Sequence, residues 1–320
     1  MADKTEKLED YSISKKIKPK SNPLSKVGII GCGSMGQDIA LLCSSHGIDV
    51  VFIELSALRI KEVMIEFNAK LDEMIYHWGI TSGEKRAVLS RIKGYTDYNV
   101  LKKCGIVIEA VSTHGYDNVI PVKKEIFKKI ESIVSKETVI ATNSSTIVIS
   151  ELASALSNPE RAVGLHFLAP ANRVKIVEVV RSLETSEAAL SFINKFARAI
   201  DKRVINVNES AGNISTRLMV PLINEACELY LENVSTIKDI DDTMKSGYGL
   251  QLGPFEMADK IGLDKVAKWM DNLFKEFGDK KYIASPLIKK LVRSNRLGRI
   301  SGEGFYKYVN GQKAGPADEL

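Results

Sequence analysis

The stretch VGIIGCGSMGQDIALLCSSHGIDVVFIE (27–54) decides the fold. VGII (27–30) is a short apolar run rich in β-branched residues, and GCGSMG (31–36) follows it directly. QDIALLCSSHG then reads as a helix, and VVFIE (50–54) is the next apolar run. Strand, glycine turn, helix and strand make a βαβ unit of about 30 residues. Gly31, Cys32, Gly33, Ser34, Met35 and Gly36 fit the spacing G-x-G-x-x-G, in the strand-to-helix context that dinucleotide binding requires. Gly31 permits the tight turn, Gly33 lets the backbone approach a pyrophosphate, and Gly36 lets the helix pack closely on the strand. The helix N-terminus then turns its positive dipole end to the phosphates. Glu54 closes the second strand, where an acid binds the ribose 2′-hydroxyl and repels a 2′-phosphate, so NAD is expected over NADP.

Downstream, apolar runs recur at GIVIEA (105–110), TVIAT (138–142), AVGLHF (162–167), KIVEVV (175–180) and RVINV (203–207). Helical patterns fall at 56–78, after the capping signal TSGE (81–84), and at 121–134 and 186–199. Strands alternating with helices predict an α/β fold, a doubly wound Rossmann-type parallel sheet covered on both faces. After about Asn208 the grammar changes. Segments 213–232, 236–246, 254–276 and 285–294 read as helices with no convincing strand among them. The expected organisation is a flexible tail over 1–25, an NAD-binding domain over 26–209, an all-helical domain over 210–310 and a tail over 311–320.

Composition agrees with two globular units. The 320 residues are 44% hydrophobic and 27% charged, with a net charge of +5. YSISKKIKPK (11–20) carries four lysines and no acid. It reads as a solvated tail, because no aromatic-interleaved basic stripe or zinc spacing supports nucleic-acid binding. No apolar stretch reaches the roughly 18 residues of a membrane span, and the N-terminus has no signal-peptide core. Cys32, Cys43, Cys104 and Cys227 lie far apart without a CxxC pair, which suits a reduced cytoplasm and points to no metal site.

Hydride transfer to or from an alcohol needs a base for the hydroxyl proton and a group that holds that base in the right tautomer. Of the four histidines, His46 ends the first helix and His77 sits on the long helix beside Trp78. His166 ends an apolar strand, at the carboxyl edge where open α/β sheets bind ligands. Glu178, 12 residues on, lies inside the apolar run KIVEVV, and a buried carboxylate needs a partner. His166 meets that need, although a satisfied core histidine fits the same pattern.

These residues resemble the L-3-hydroxyacyl-CoA dehydrogenase family, which includes bacterial 3-hydroxybutyryl-CoA dehydrogenases. The resemblance runs from about Lys26 to Tyr308. It is carried by VGIIGCGSMGQDIA (27–40), ATNSST (141–146), GLHFLAP (164–170), VEVV (177–180), RLMVPLINEA (217–226), GPFEMADKIGLD (253–264) and GEGFYKY (302–308). It implies a homodimer built through the helical domain, with acyl-CoA held between the domains. His166 becomes the general acid/base, Glu178 its orienting partner, and Ser145 a hydrogen-bond donor to the substrate oxygen that also borders the cofactor. Glu54 takes the adenine-ribose position, Lys123 matches a lysine that contacts NAD, and Ala110 matches a backbone neighbour of the nicotinamide. Lys70, on the long helix, is the candidate for the CoA phosphates.

The chain also departs from the family. Where the family has asparagine in GF-x-x-NR, AGNISTR places Thr216, which donates one hydrogen bond but lacks an amide's reach. Ala169 replaces the asparagine of HF-x-NP, and Ile300 replaces a lysine before the C-terminal GEGFYKY. The segment VSTHGYDNVIP (111–121) is roughly five residues longer than usual and brings in His114 and Tyr116 as candidate replacement groups, against the plainer reading of a solvated loop. The leading expectation is NAD-dependent oxidation of a short-chain L-3-hydroxyacyl-CoA and the reverse reduction. Its rivals are a dehydrogenase of the same fold acting on a non-CoA hydroxy acid or related alcohol, and a non-catalytic NAD-binding module.

Overall fold

The computed structural model describes residues 23–77, 79–111 and 119–317. Most of the expected N-terminal tail, together with Trp78, His114 and Tyr116, lies outside the described residues. The first part of the chain runs β1 (Lys26–Ile30), α1 (Ser34–Ser45), β2 (Asp49–Ile53), α2 (Ala57–Tyr76), α3 (Ser82–Arg91), β3 (Ile92–Tyr95) and β4 (Ile106–Glu109). It continues with α4 (Val119–Glu131), β5 (Val139–Thr142), α5 (Ile149–Ala153), β6 (Ala162–Phe167), β7 (Ile176–Arg181), α6 (Glu187–Ala199) and β8 (Arg203–Asn208).

The strands form one eight-stranded sheet in the order β3-β2-β1-β4-β5-β6-β7-β8. The chain reverses its direction of travel across the sheet between β1 and β4, the switch point where such sheets open a crevice for ligands. Strand side chains alternate between two cores. Val27, Ile29, Val50 and Phe52 pack with α1, α2, α3 and α6, while Ile30, Val51, Ile53 and Ile140 pack with α4 and α5. Phe67 of α2 is wholly buried in the first core, worth roughly 1.5–3 kcal/mol over exposure. The capping signal before α3 is a complete capping box between Thr81 and Glu84.

The expectation of a parallel sheet fails at one boundary. β6 and β7 pair antiparallel, with His166 directly opposite Glu178. Their connection, residues 168–175, is too short for the dozen or more residues a parallel crossover takes. β3 was absent from the expected strands because its sequence, IKGY, has no apolar run.

The remaining helices are α7 (Ser215–Leu231), α8 (Ile237–Tyr248), α9 (Pro254–Ile261), α10 (Leu263–Phe277) and α11 (Pro286–Arg293). They enclose a third core that includes Val220, Phe255, Met270, Leu273 and Phe305. The single helix expected over 254–276 is two, broken at Gly262, whose φ of +102° no helix accommodates. The chain after 308 also differs from expectation. β9 (Tyr306–Val309) and β10 (Gln312–Pro316) form a hairpin, so the supposed tail begins as a strand. Its turn is Asn310-Gly311, both at positive φ, the pair such hairpins favour.

Candidate active site

The dinucleotide loop lies where β1 hands over to α1. Gly31 has φ +84°, and a Cβ there would stand 2.8 Å from the Val111 Cα. A Cβ on Gly36 would collide with the Gly31 carbonyl oxygen, so helix and loop approach this closely only with glycine. At Gly33 a Cβ would meet no protein atom within 4 Å, which leaves the approach to the start of α1 open. Ser34 and Met35 open that helix, and its N-cap, Gly33, makes no side-chain cap. First-turn amides left without a protein cap suit a diphosphate. Glu54 follows β2 and accepts the Cys32 amide through Oε1 at 2.6 Å, which places its carboxylate against the loop. This combination of open glycine, free helix end and adjacent acid fits NAD. Burial pushes the Cys32 thiol far up, so it stays protonated and serves the loop as a small apolar side chain.

Across the switch point, His166 is 6% exposed and its Nδ1 lies 2.7 Å from Glu178 Oε2. The antiparallel register creates this contact, since side chains of directly opposed residues meet on one face. The carboxylate is held again from the other domain. The Ser215 amide donates to Oε1 at 2.9 Å and the Ser215 hydroxyl to Oε2 at 3.0 Å. Ser215 is the first residue of α7, so the positive end of that helix faces the carboxylate. Burial pushes the Glu178 carboxyl up, but the bond and charge of His166 and the two bonds from Ser215 outweigh it. The net result is a value below the ordinary glutamate range. An ionised Glu178 at Nδ1 fixes the tautomer in which His166 Nε2 is free to take a proton.

Ser145 follows β5 and is 8% exposed. Its carbonyl accepts the Gly212 amide at 2.9 Å, a bond between the sheet domain and the approach to α7. The Ser145 hydroxyl makes no side-chain hydrogen bond among the described residues. Thr216 follows Ser215 in α7, is 3% exposed, and its hydroxyl is likewise unpaired among the described residues. The structure therefore brings Ser215 and Thr216 together at one helix start, next to the His166–Glu178 pair.

Other expected site residues fall elsewhere. Ala110 follows β4 and donates its amide to the Ile30 carbonyl at 2.8 Å, beside the dinucleotide loop. Lys123 is 3% exposed and its amine is engaged by Glu109. Lys70 is paired with Asp38 of α1 at 2.8 Å. Ile300 is 77% exposed on a single turn after α11. His46 caps the end of α1, its Nδ1 2.8 Å from the Leu42 carbonyl oxygen, and His77 caps the end of α2.

Sequence reasoning missed Ser215 and Glu109. Glu109 carried a signal, because it is a carboxylate inside an apolar strand just as Glu178 is. Ser215 carried none beyond a hydroxyl at a helix start.

Residues 26–210 match the domain described as 3-hydroxyacyl-CoA dehydrogenase, NAD binding domain, and residues 212–308 match 3-hydroxyacyl-CoA dehydrogenase, C-terminal domain. The chain belongs to the 3-hydroxyacyl-CoA dehydrogenase family. It is 34% identical over 283 residues to the 3-hydroxybutyryl-CoA dehydrogenase of Clostridioides difficile, covering 88% of this chain and 99% of that one. It is 36% identical over 286 residues to the probable 3-hydroxybutyryl-CoA dehydrogenase of Deinococcus radiodurans, covering 88% and 100%. The crystal structure of (S)-3-hydroxybutyryl-CoA dehydrogenase from Ralstonia eutropha superposes with a TM-score of 0.80 at 36% identity, covering 89% of this chain and 99% of that one. The family member described here is thus an NAD-dependent oxidoreductase. Among its described residues, no helix is long and apolar enough to cross a membrane.

Proposed function

We propose that this dehydrogenase interconverts a short-chain L-3-hydroxyacyl-CoA and the corresponding 3-oxoacyl-CoA in the cytoplasm. The observation that carries the reading is the 2.7 Å contact of His166 with Glu178, at the carboxyl end of β6 and across the switch point from the dinucleotide loop. NAD supplies the hydride acceptor when bound. His166 Nε2 takes the hydroxyl proton during oxidation and returns it during reduction. Glu178 keeps Nδ1 protonated and stabilises the imidazolium, and Ser215 keeps Glu178 ionised and oriented. The Ser145 hydroxyl, free of protein partners among the described residues, donates to the substrate oxygen, with Thr216 as a second donor from the helix start. Glu54 selects NAD. Burial of the pair excludes water from the reacting centre, which strengthens each of these interactions.

The protein acts as a homodimer through the helical domain. Leu218 is 70% exposed on α7, and Phe274, Phe277 and Ile283 are partly exposed near the end of α10 and just after it. Apolar exposure of this kind is what a second copy would cover.

One observation favours a second reading, a non-CoA hydroxy acid as substrate. Lys70, the expected phosphate cation, already pairs with Asp38. His166→Ala decides whether the pair is catalytic. The expected variant binds NADH as the parent does and loses turnover. A variant that keeps the parent's turnover of acetoacetyl-CoA refutes the assignment.

A further inference from the structure

Glu109 closes β4 at its carboxyl end, on the same side of the sheet as the dinucleotide loop, and its side chain is wholly buried. A carboxylate so placed persists only if its oxygens are engaged. Lys123 Nζ lies 2.6 Å from Oε1 and 2.7 Å from Oε2. The Val111 amide donates to Oε1 at 2.7 Å, and Thr142 Oγ1 donates to Oε2 at 2.7 Å. Lys123 Nζ also reaches the Val111 carbonyl oxygen at 3.5 Å. Carboxylate and amine therefore hold both polar groups of one backbone residue.

Val111 is the residue against which Gly31 packs. A Cβ on Gly31 would stand 2.8 Å from the Val111 Cα and 3.0 Å from its nitrogen. The clamped backbone thus abuts the first glycine of the cofactor loop. The other arm of the network leads to the substrate side. Thr142 Oγ1 accepts the Ser144 amide at 3.1 Å, and Ser144 immediately precedes Ser145.

We propose that the buried Glu109–Lys123 pair is a positioning element of the active site. It clamps Val111 against the cofactor loop and, through Thr142, holds the turn that presents Ser145, so one carboxylate sets the separation between cofactor and substrate oxygen. This deepens the function proposed above and rests on it for the role of Ser145. Lys123, which the family resemblance matches to a lysine that contacts the cofactor, holds its place through Glu109.

Two perturbations separate the arms of the network, both made in the full chain. Thr142→Val cuts the link to Ser144 and leaves the ion pair. Glu109→Leu with Lys123→Met removes the clamp and leaves no buried charge unpaired. NADH affinity is read by fluorescence titration, protection of the Val111 amide by hydrogen exchange without cofactor, and turnover with acetoacetyl-CoA. The double variant is expected to lose at least about tenfold in NADH affinity and in Val111 protection. Thr142→Val is expected to keep NADH affinity within about twofold while kcat falls at least about tenfold. Its primary isotope effect with deuterated NADH should rise, and Thr142→Ser should restore turnover.

Parental NADH affinity in a folded double variant, or parental kcat in Thr142→Val, overturns the proposal. Should the double variant not fold, the two Thr142 variants decide alone. Should the parent turn over no acetoacetyl-CoA, the substrate reading falls, and NADH affinity and amide exchange still test the clamp.

Discussion

Glu178→Gln removes one charge and almost no volume. The carboxylate accepts from His166 Nδ1 at 2.7 Å, from the Ser215 amide at 2.9 Å and from the Ser215 hydroxyl at 3.0 Å. Those bonds use both oxygens, and glutamine has only one. If that oxygen faces Ser215, the amide NH2 faces His166 and drives the proton onto Nε2, the atom needed as base. If it faces His166, the NH2 group confronts the Ser215 amide donor. A hydrogen bond to a charged group is worth roughly 1.5–3 kcal/mol, which at 1.36 kcal/mol per decade predicts a fall in kcat of about 10- to 150-fold. The assay is NADH oxidation with acetoacetyl-CoA, beside NADH titration and a thermal melt. NADH affinity should stay within about twofold, because the pair acts on the proton and not on the cofactor. A folded variant with kcat within twofold of the parent would show that Glu178 does not set the tautomer of His166.

The remaining predictions draw on the same contacts. Ser215→Ala loses the hydroxyl bond and keeps the amide bond, so kcat should fall by about 3- to 10-fold, less than in Glu178→Gln; equal losses would show that the helix-end amide does not hold the carboxylate. Glu54→Ala should narrow the preference for NADH over NADPH at least about tenfold in kcat/KM, since the acid no longer repels a 2′-phosphate. An unchanged ratio contradicts its role. Glu178 sits below its ordinary value in the folded protein, so its stabilising contribution is fully present above about pH 4.3 and is lost as pH falls through its lower folded value. The melting-temperature gap between parent and Glu178→Gln should therefore hold steady near neutrality and shrink on acidification, and a gap that widens in acid contradicts the assignment.

Local patterns with a mechanism were legible in the sequence. The glycine loop with Glu54 needs only one strand, one turn and one helix, all contiguous in the chain. Capping at Thr81 is equally local. What escaped depends on partners distant in sequence. The antiparallel turn of β7 was foreshadowed by the short 168–175 connection, yet periodicity alone does not distinguish strand directions. Glu109 sits in an apolar strand like Glu178, but its partner Lys123 lies 14 residues away on the following helix. Ser215 becomes part of the site only because α7 points its first turn at a strand of the other domain. The Asn310-Gly311 hairpin was available from sequence and was masked by its nearness to the C-terminus. Lys70 was legible only as a cation on the long helix; its pairing with Asp38 of α1 depends on how α2 packs against α1.

The proposed reaction of this site is hydride chemistry on a CoA-linked 3-oxo group. The most direct test follows NADH consumption with acetoacetyl-CoA, in parallel with free acetoacetate and with NADPH in place of NADH. Rapid turnover only with acetoacetyl-CoA and NADH is the predicted result, and it would show that Thr216 and Ala169 serve where the family has asparagine. Tight NADH binding with no turnover of acetoacetyl-CoA would rule out a CoA-linked 3-oxo group as the substrate.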